Sequence, residues 1–176
     1  MRFLLCSLSL VLFFSSALAT LVNVTVDDQN EDPITRNTVS YTPADAWTVN
    51  STCDNCSAQI DASKTYDNTW HVGKFNGSPS VLQASYSFSG TAVYVYCILA
   101  PASEHLTGKS DMTFFLDGFQ AGTYSSEQDS SSLGYKYNTS VFASETLSPG
   151  SHIIQIQSGH SGGDASLILL DSIIYS

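Results

Sequence analysis

The chain has 176 residues, with six Lys and Arg against sixteen Asp and Glu, and a net charge of −10 at neutral pH. Nucleic acids and anionic membrane surfaces are bound through clustered Lys and Arg, and the sequence contains no such cluster, so we expect neither partner. A chain of about 150 residues can bury a sizeable core without a dense framework of disulfides.

The N-terminus has the pattern of a secretory signal. A basic start at Met1-Arg2 is followed by an apolar run over residues 3–14 and by the small-x-small sequence Ala17-Leu18-Ala19. The run is too short to cross a bilayer comfortably, and no later run is long enough. We therefore predict a cleaved signal peptide over residues 1–19, a single domain over 20–176, a secreted, extracellular location and no membrane span in the mature chain.

The mature sequence carries Asn-x-Ser/Thr sequons, the acceptor sites for N-linked glycans in secreted proteins. The candidate asparagines are Asn23, Asn50, Asn55, Asn76 and Asn138. We expect some of them to be glycosylated and therefore to lie on the surface.

The first half of the chain alternates in the manner of β-strands. In VNVTV, residues 22–26, the valines share one face, and NTWHVGKF, residues 68–75, is a second strand region. SVLQASYSF, residues 80–88, places Leu, Ala, Tyr and Phe opposite Gln and Ser. TAVYVYCIL, residues 91–99, is apolar on both faces, which predicts a central strand with Cys97 among the core residues.

The second half continues the pattern. In residues 112–124, Asp117-Gly118 separates two β-favouring runs, which predicts a tight hairpin. YKYNTSVF, residues 135–142, is predicted to place Tyr135, Tyr137 and Val141 on one face. HIIQIQ and SLILLDSIIY, joined by a Gly-rich loop, close the chain. Roughly eight to ten short strands at this spacing predict an all-β sandwich or barrel.

Three cysteines remain after the signal. We favour a disulfide between Cys53 and Cys56, which leaves Cys97 as a buried thiol; the alternative joins Cys97 to one of them and leaves a thiol for intermolecular pairing. A redox or zinc role for C-x-x-C would need a βαβ context or further paired ligands. The flanks are polar and loop-like, so a loop-stapling bridge is the favoured interpretation.

Two further motifs favour structural interpretations over chemistry. The acidic run over residues 27–32 supplies oxygen ligands that suit Ca²⁺, but it has no EF-hand spacing and is interpreted as a solvated loop. The G-x-S-x-G match at residues 159–163 is followed by a strand, whereas a nucleophile elbow is followed by a helix, and no histidine follows Ser161. We predict no metal site, no cofactor and no enzymatic activity.

An aromatic and polar stretch is the candidate ligand site. Sugars stack on exposed rings while Asp, Asn or His side chains bond their hydroxyl groups, and the sequence TYDNTWH offers this mixture. The predicted binding residues are Trp47, Tyr66, Asp67, Asn68, Trp70 and His71. The competing interpretation, which we favour for the two tryptophans, is that these large rings cover the edges of the core.

The order of several motifs adds a resemblance. FSGTAVYVY over residues 88–96, FFLDG over 114–118 and LSPGSHII over 147–154 resemble galactose-binding-domain-like β-sandwiches. Together with C-x-x-C and the C-terminal strand they resemble a group of uncharacterised secreted or cell-surface proteins of mushroom-forming fungi. The resemblance implies a jelly-roll β-sandwich of two antiparallel sheets. Because such folds serve many purposes, it does not carry a ligand with it.

Two functional hypotheses follow. The first is a secreted, non-catalytic binding module for glycans of a cell wall or the environment. The alternative is a structural or interaction glycoprotein of the fungal cell surface or extracellular matrix, with no small-molecule ligand. The sequence contains no signal for the oligomeric state.

Overall fold

A computed structural model of the protein describes residues 22–50, 59–77, 80–101, 109–126 and 134–176. The predicted signal peptide lies outside the described residues. So do Cys53, Cys56 and the sequon asparagine Asn55, so the predicted disulfide stays a prediction.

The described part of the chain is built from eleven β-strands and three single-turn 3-10 helices. The strands are β1 (Val24–Asp27), β2 (Ser40–Thr42), β3 (Trp47–Val49), β4 (His71–Phe75), β5 (Leu82–Gly90), β6 (Val93–Leu99), β7 (Ser110–Leu116), β8 (Phe119–Ser126), β9 (Lys136–Ser144), β10 (Gly150–Ser158) and β11 (Ser166–Tyr175). The short helices are Ala44–Ala46, Ala62–Lys64 and Tyr66–Asn68. The all-β prediction is confirmed.

The strands form two antiparallel sheets. The six-stranded sheet has the order β3-β4-β11-β6-β9, with β1 also paired to β11, and the five-stranded sheet has the order β2-β5-β10-β7-β8. Each sheet sends alternate side chains into a shared core. This confirms the two-sheet sandwich and places most of the strands where the sequence pattern put them.

Strands β1 and β4 meet end to end beside β11. Residues 172–175 of β11 pair with both β6 and β1, and Leu170 pairs with both β6 and β4. A strand has only two edges, so β1 and β4 must share the edge of β11 that faces away from β6. The end of β1 at Asp27 and the start of β4 at His71 therefore flank Asp171.

The core between the sheets contains the predicted row of β6. Val93, Val95, Cys97 and Leu99 belong to one buried cluster, and Cys97 is a fully buried free thiol. Burial raises the pKa of this thiol far above its ordinary value, because a thiolate would lose its hydration. The prediction that Cys97 is a packing residue is confirmed.

A second apolar cluster covers the outer side of the six-stranded sheet. Its buried members are Trp70, Val72, Ile98, Ala100 and Leu169. Partly buried side chains of the segment before β4, including Ile60 and Ala62, pack against it. This explains why β6 is apolar on both faces.

Two details of the predicted pattern are wrong. Tyr137 packs on the outer side of the six-stranded sheet while Val141 lies in the inter-sheet core, so the two do not share a face. The pairing of β9 with β6 is interrupted by two register shifts, and each extra residue reverses the alternation that follows it. Val22, expected with the buried valines of β1, is 64% exposed.

In the described ranges, no helix has the length and apolar character that crossing a membrane would require.

Candidate functional site

The predicted aromatic site is divided by the structure into a buried and an exposed part. Trp47 and Trp70 are 7% and 3% exposed, and His71 is also buried. Trp47 packs in the inter-sheet core and Trp70 in the outer cluster. Neither indole presents a face on which a sugar could stack, which agrees with the interpretation that these rings cover the core.

The exposed part is the turn that precedes β4. Tyr66 is 41% exposed, and Asp67 and Asn68 are exposed with left-handed backbone angles, φ 49° and φ 63°. The Tyr66 amide donates to Asp171 Oδ1 at 2.8 Å, which anchors the turn to β11. These three residues stay a predicted ligand contact.

The acidic run is not a solvated loop, so that interpretation was wrong. Asp27, Asp28 and Asp32 are at most 2% exposed, and only Glu31 of the run's four acids is exposed. Each buried carboxylate has protein donors: Asp27 Oδ1 accepts from the amides of residues 29 and 30 at 3.0 and 2.8 Å. The run is buried because its carboxylates accept hydrogen bonds from the protein near the end of β1.

Three buried carboxyl groups meet under the Tyr66 turn. The Thr69 hydroxyl lies 2.8 Å from Asp27 Oδ2 and 2.7 Å from Asp28 Oδ1. A hydroxyl has one hydrogen, so the two carboxylate oxygens share a single donor proton. Asp171 completes the set, and we name Asp27, Asp28 and Asp171 the carboxyl cluster.

The surroundings of Asp171 and Asp28 raise the pKa of both carboxyl groups. Burial raises the pKa of Asp171 to about 6, and the neighbouring charges of Asp28 and Asp27 add to the shift. Burial also raises the pKa of Asp28, against the opposing effect of its hydrogen bonds from His71 and Thr69. His71 Nδ1 lies 2.5 Å from Asp28 Oδ2. His71 is therefore part of the interior rather than of a ligand surface.

Among the residues described, no group of three or more His, Cys, Asp and Glu side chains is arranged to hold a metal ion. The expectation that the protein needs no cofactor stays a prediction.

A polar pocket opens at the end of the sandwich where β7 begins and β10 ends; we name it the end pocket. Its volume is about 290 Å³. The residues that line it are Lys109, Ser110, Asp111, Ser125, Ser126, His160, Asp164, Ala165 and Ser166. They come from the start of β7 and the residue before it, from the end of β8, from the loop before β11 and from the start of β11.

A His–Asp contact and a Lys–Asp ion pair form the rim of the end pocket. His160 Nδ1 lies 2.8 Å from Asp111 Oδ2, and Lys109 Nζ lies 3.9 Å from Asp164 Oδ2. The His160 loop is fixed to the sheet because the Gly159 amide donates to the Asp111 carbonyl at 2.9 Å. This loop is the G-x-S-x-G segment, and it leads into the strand β11 as the sequence predicts.

A buried hydroxyl without a partner lines the same pocket. Ser166 is 1% exposed, and its Oγ has no hydrogen-bond partner in the described part of the chain. Buried hydroxyl groups are nearly always paired, because an unmade hydrogen bond costs about 1–3 kcal/mol. The end pocket thus combines a charged, solvent-accessible rim with an unsatisfied polar group.

The sequence did not reveal the end pocket. Its lining residues are widely separated in the chain, and only the Gly-rich loop around His160 had been noted, as a hydrolase motif that was rejected. A usable signal was present in the polar ends of otherwise alternating strands, Lys109 to Asp111 and Ser125-Ser126.

The sequons are placed as glycosylation requires. Asn23, Asn50, Asn76 and Asn138 are exposed. Their glycosylation stays a prediction.

Comparison with known proteins supports the fold. No protein-family model and no curated protein matches the chain. Among solved structures, the catalytic domain of a GH87 α-1,3-glucanase in complex with nigerose is 12% identical, with a TM-score of 0.52, over 90% of this chain and 28% of that chain. A family 35 carbohydrate-binding module from Clostridium thermocellum is 10% identical, with a TM-score of 0.49, over 85% of this chain and 95% of that chain.

The exo-β-1,3-galactanase of Phanerochaete chrysosporium is 14% identical over 89% of this chain, with a TM-score of 0.49. This chain spans about 30% of the length of the galactanase and of the GH87 glucanase domain. At 12% identity and a TM-score of 0.52, the likeness to the GH87 domain shows the fold alone, a two-sheet antiparallel β-sandwich.

Proposed function

We propose that this protein is a secreted, non-catalytic glycan-binding module and that the end pocket holds one sugar residue. The observation that carries the proposal is the end pocket itself, with Lys109, Asp111, His160 and Asp164 at its rim and the residue Ser166, whose buried hydroxyl has no partner, in its lining. The predicted signal peptide and the exposed sequon asparagines support secretion. The resemblance to galactose-binding-domain-like sandwiches supports the same assignment.

The chemistry of the end pocket suits a sugar. Each sugar hydroxyl both donates and accepts hydrogen bonds, and the rim provides carboxylate acceptors at Asp111 and Asp164 beside the Lys109 donor. Ligand pockets for drug-sized molecules begin near 300 Å³, so a cavity of about 290 Å³ fits one ring rather than an oligosaccharide.

Two features of the pocket favour binding over hydrolysis. A glycosidase uses two carboxyl groups, of which the acid is kept protonated by apolar surroundings. The Asp164 side chain is 91% exposed, and Asp111 is engaged by His160. Such an arrangement bonds hydroxyl groups but lacks the sheltered acid that cleavage of a glycosidic bond requires.

The proposal is tested with a glycan array and with pull-down on insoluble polysaccharides, including α-1,3-glucan and β-1,3-galactan. We expect retention of the wild-type protein and a loss of about fivefold or more in affinity for His160→Ala, since one hydrogen bond is worth about 1 kcal/mol. Empty results in both assays would overturn the proposal and favour a structural glycoprotein.

A matched control is available at the opposite end of the sandwich. His152 Nδ1 lies 2.7 Å from Asp117 Oδ2, so the His152→Ala variant removes a His–Asp pair of the same geometry away from the pocket. It should bind like wild type once its folding has been checked by circular dichroism. The Tyr66→Ala variant tests the site predicted from the sequence: if it loses binding while His160→Ala does not, the ligand sits at the Tyr66 turn.

A further inference from the structure

The solvent side of the five-stranded sheet is uncharged in its central rows. We name this side the outer face. It is formed by every second residue of β2, β5, β10, β7 and β8, which the strand register brings into rows. Besides Asp111 and Ser125 at the end pocket, its residues are Ser40, Thr42, Gln83, Ser85, Ser87, Ser89, Thr113, Phe115, Gln120, Thr123, Ser151, Ile153, Gln155 and Gln157.

The middle of the outer face is a row of amides and hydroxyls around one aromatic ring. Gln155 pairs with Ser85 on one side and with Phe115 on the other. The next row pairs Gln157 with Gln83 and Thr113. No side chain in these two rows carries a charge, although the chain as a whole has a net charge of −10. The aspartates that end this side of the sheet lie outside these rows.

The outer face connects two recesses. At one end, Asp111 pairs with Ser125, and both line the end pocket. At the β2 edge, a groove of about 410 Å³ is lined by Arg36, Asn37, Thr38, Ser40, Ser85 and Ser87. Ser85 lies two strands and two rows away from Asp111, which corresponds to roughly 17 Å along the face. This span is much longer than one sugar ring.

We propose that the outer face binds a linear, neutral polysaccharide whose chain runs from the end pocket toward the β2 groove. The inference rests on the proposed glycan-binding function and extends it from one sugar residue to a chain. Glutamine amides and serine hydroxyls exchange hydrogen bonds with sugar hydroxyls, and the Phe115 ring offers an apolar surface to the C–H face of a ring.

Charge argues for this occupant. An anionic polysaccharide would be repelled by a protein of net charge −10, and a neutral chain would not. Two copies of the protein would repel each other for the same reason, so a second copy is a poorer fit to the same face. The uncharged side chains of the central rows suit a partner that binds through hydrogen bonds between neutral groups.

The test is the dependence of affinity on ligand length. Neutral oligosaccharides of glucose, galactose, mannose and xylose, each with two and with six units, are titrated by calorimetry into the wild-type protein. For the sugar that binds, we expect the hexamer to bind about tenfold more tightly than the dimer, because further hydrogen bonds form along the face.

Substitutions on the outer face test whether the higher affinity for the hexamer arises there. Gln155→Ala should lower the affinity for the hexamer about fivefold and leave the affinity for the dimer unchanged, since one hydrogen bond contributes about 1 kcal/mol. Gln29→Ala is the matched control: it removes an exposed glutamine from the loop after β1, away from the outer face, and should change neither affinity.

The outcomes separate the two proposals. Equal affinities for dimer and hexamer, with only His160→Ala weakening them, would overturn the extended site and leave the glycan-binding function standing. Binding of no carbohydrate would overturn both. Sedimentation that shows a dimer dissociated by Gln155→Ala would assign the outer face to a second copy and overturn the inference.

Discussion

At the scale of single residues, Asp32 is held by five hydrogen bonds from protein donors. Its carboxylate accepts from the amides of Ile34 and Thr35 at 2.6 and 3.0 Å and from the Thr35 hydroxyl at 2.8 Å. The hydroxyls of Tyr86 and Tyr175 also donate to it. Burial alone would raise the pKa of Asp32, but the hydrogen bonds outweigh it and hold the pKa well below its ordinary value.

Replacing Asp32 should therefore destabilise the sandwich strongly. In Asp32→Ala two buried tyrosine hydroxyls lose their acceptor, and we expect the free energy of unfolding in urea to fall by about 3 kcal/mol. The control is Glu31→Ala, which removes an exposed carboxylate 3.8 Å from Arg36 and should change stability by less than about 0.5 kcal/mol. Equal effects of the two substitutions would show that Asp32 is not the anchor.

The sequence could not distinguish these neighbouring acids. Glu31 and Asp32 stand side by side in one acidic run, yet one is exposed and the other fully buried. The difference depends on Tyr86 and Tyr175, which are remote in sequence and reach Asp32 only after the sheets have formed. Local composition predicts that an acidic run is exposed, as most such runs are. The burial of Asp32 depends instead on hydrogen-bond donors that are distant in the sequence.

At the scale of elements, the hairpin between β7 and β8 is the clearest case of a local rule. Asp117 and Gly118 have φ 53° and 83°, as the two central residues of a type I′ turn require. The Asp117 carboxylate also accepts from the Ile153 amide at 2.8 Å, which joins the turn to β10. Two residues were enough to predict this element because their backbone preference needs no distant partner.

The turn allows the energetic cost of a left-handed backbone angle to be tested by itself. A Cβ at Gly118 would meet no atom within 4 Å, so Gly118→Ala should cost about 1 kcal/mol through its left-handed φ alone. At Gly134 a Cβ would also meet nothing, and φ lies outside the left-handed region. Gly134→Ala should therefore be neutral in thermal unfolding. A loss of stability at Gly134 as large as at Gly118 would contradict this explanation.

Elements that depend on their neighbours were harder to predict. β2 and β3 have three residues each and show too little alternation to be recognised. The face of β9 was predicted wrongly because its two register shifts exist only in pairing with β6. Long alternating runs such as β5 and β6 were recognised, because a core on one side fixes which residues are apolar.

At the scale of the whole molecule, the candidate site illustrates the same limit. The sequence proposed a site in one stretch, Tyr66 to His71, and the structure buried its tryptophan and its histidine. The end pocket instead gathers residues from four chain segments, and no short motif contains them. A fold follows from repeated local patterns, whereas a site follows from which loops the topology brings together.

The buried carboxyl groups make the stability of the whole molecule depend on pH in two opposite ways: Asp171 and Asp28 have raised pKa values, and Asp32 has a lowered one. Asp171 has a pKa of about 6, above its ordinary value, and Asp28 is shifted in the same direction. Between about pH 4 and pH 6 the folded state therefore holds protons that the unfolded state has released, so the free energy of unfolding falls as pH rises. Asp32, with a lowered pKa, makes stability fall as pH drops below about 4.

The protein should therefore be most stable near pH 4 to 5 and lose about 2 kcal/mol toward pH 7.5, measured by urea unfolding across that range. Asp171→Asn keeps an oxygen acceptor for the Tyr66 amide but cannot ionise, so its loss over the same range should be clearly smaller. Asp45→Asn, which removes an exposed aspartate, should keep the wild-type slope. If Asp171→Asn keeps that slope as well, Asp171 does not hold a proton in the folded state over this pH range.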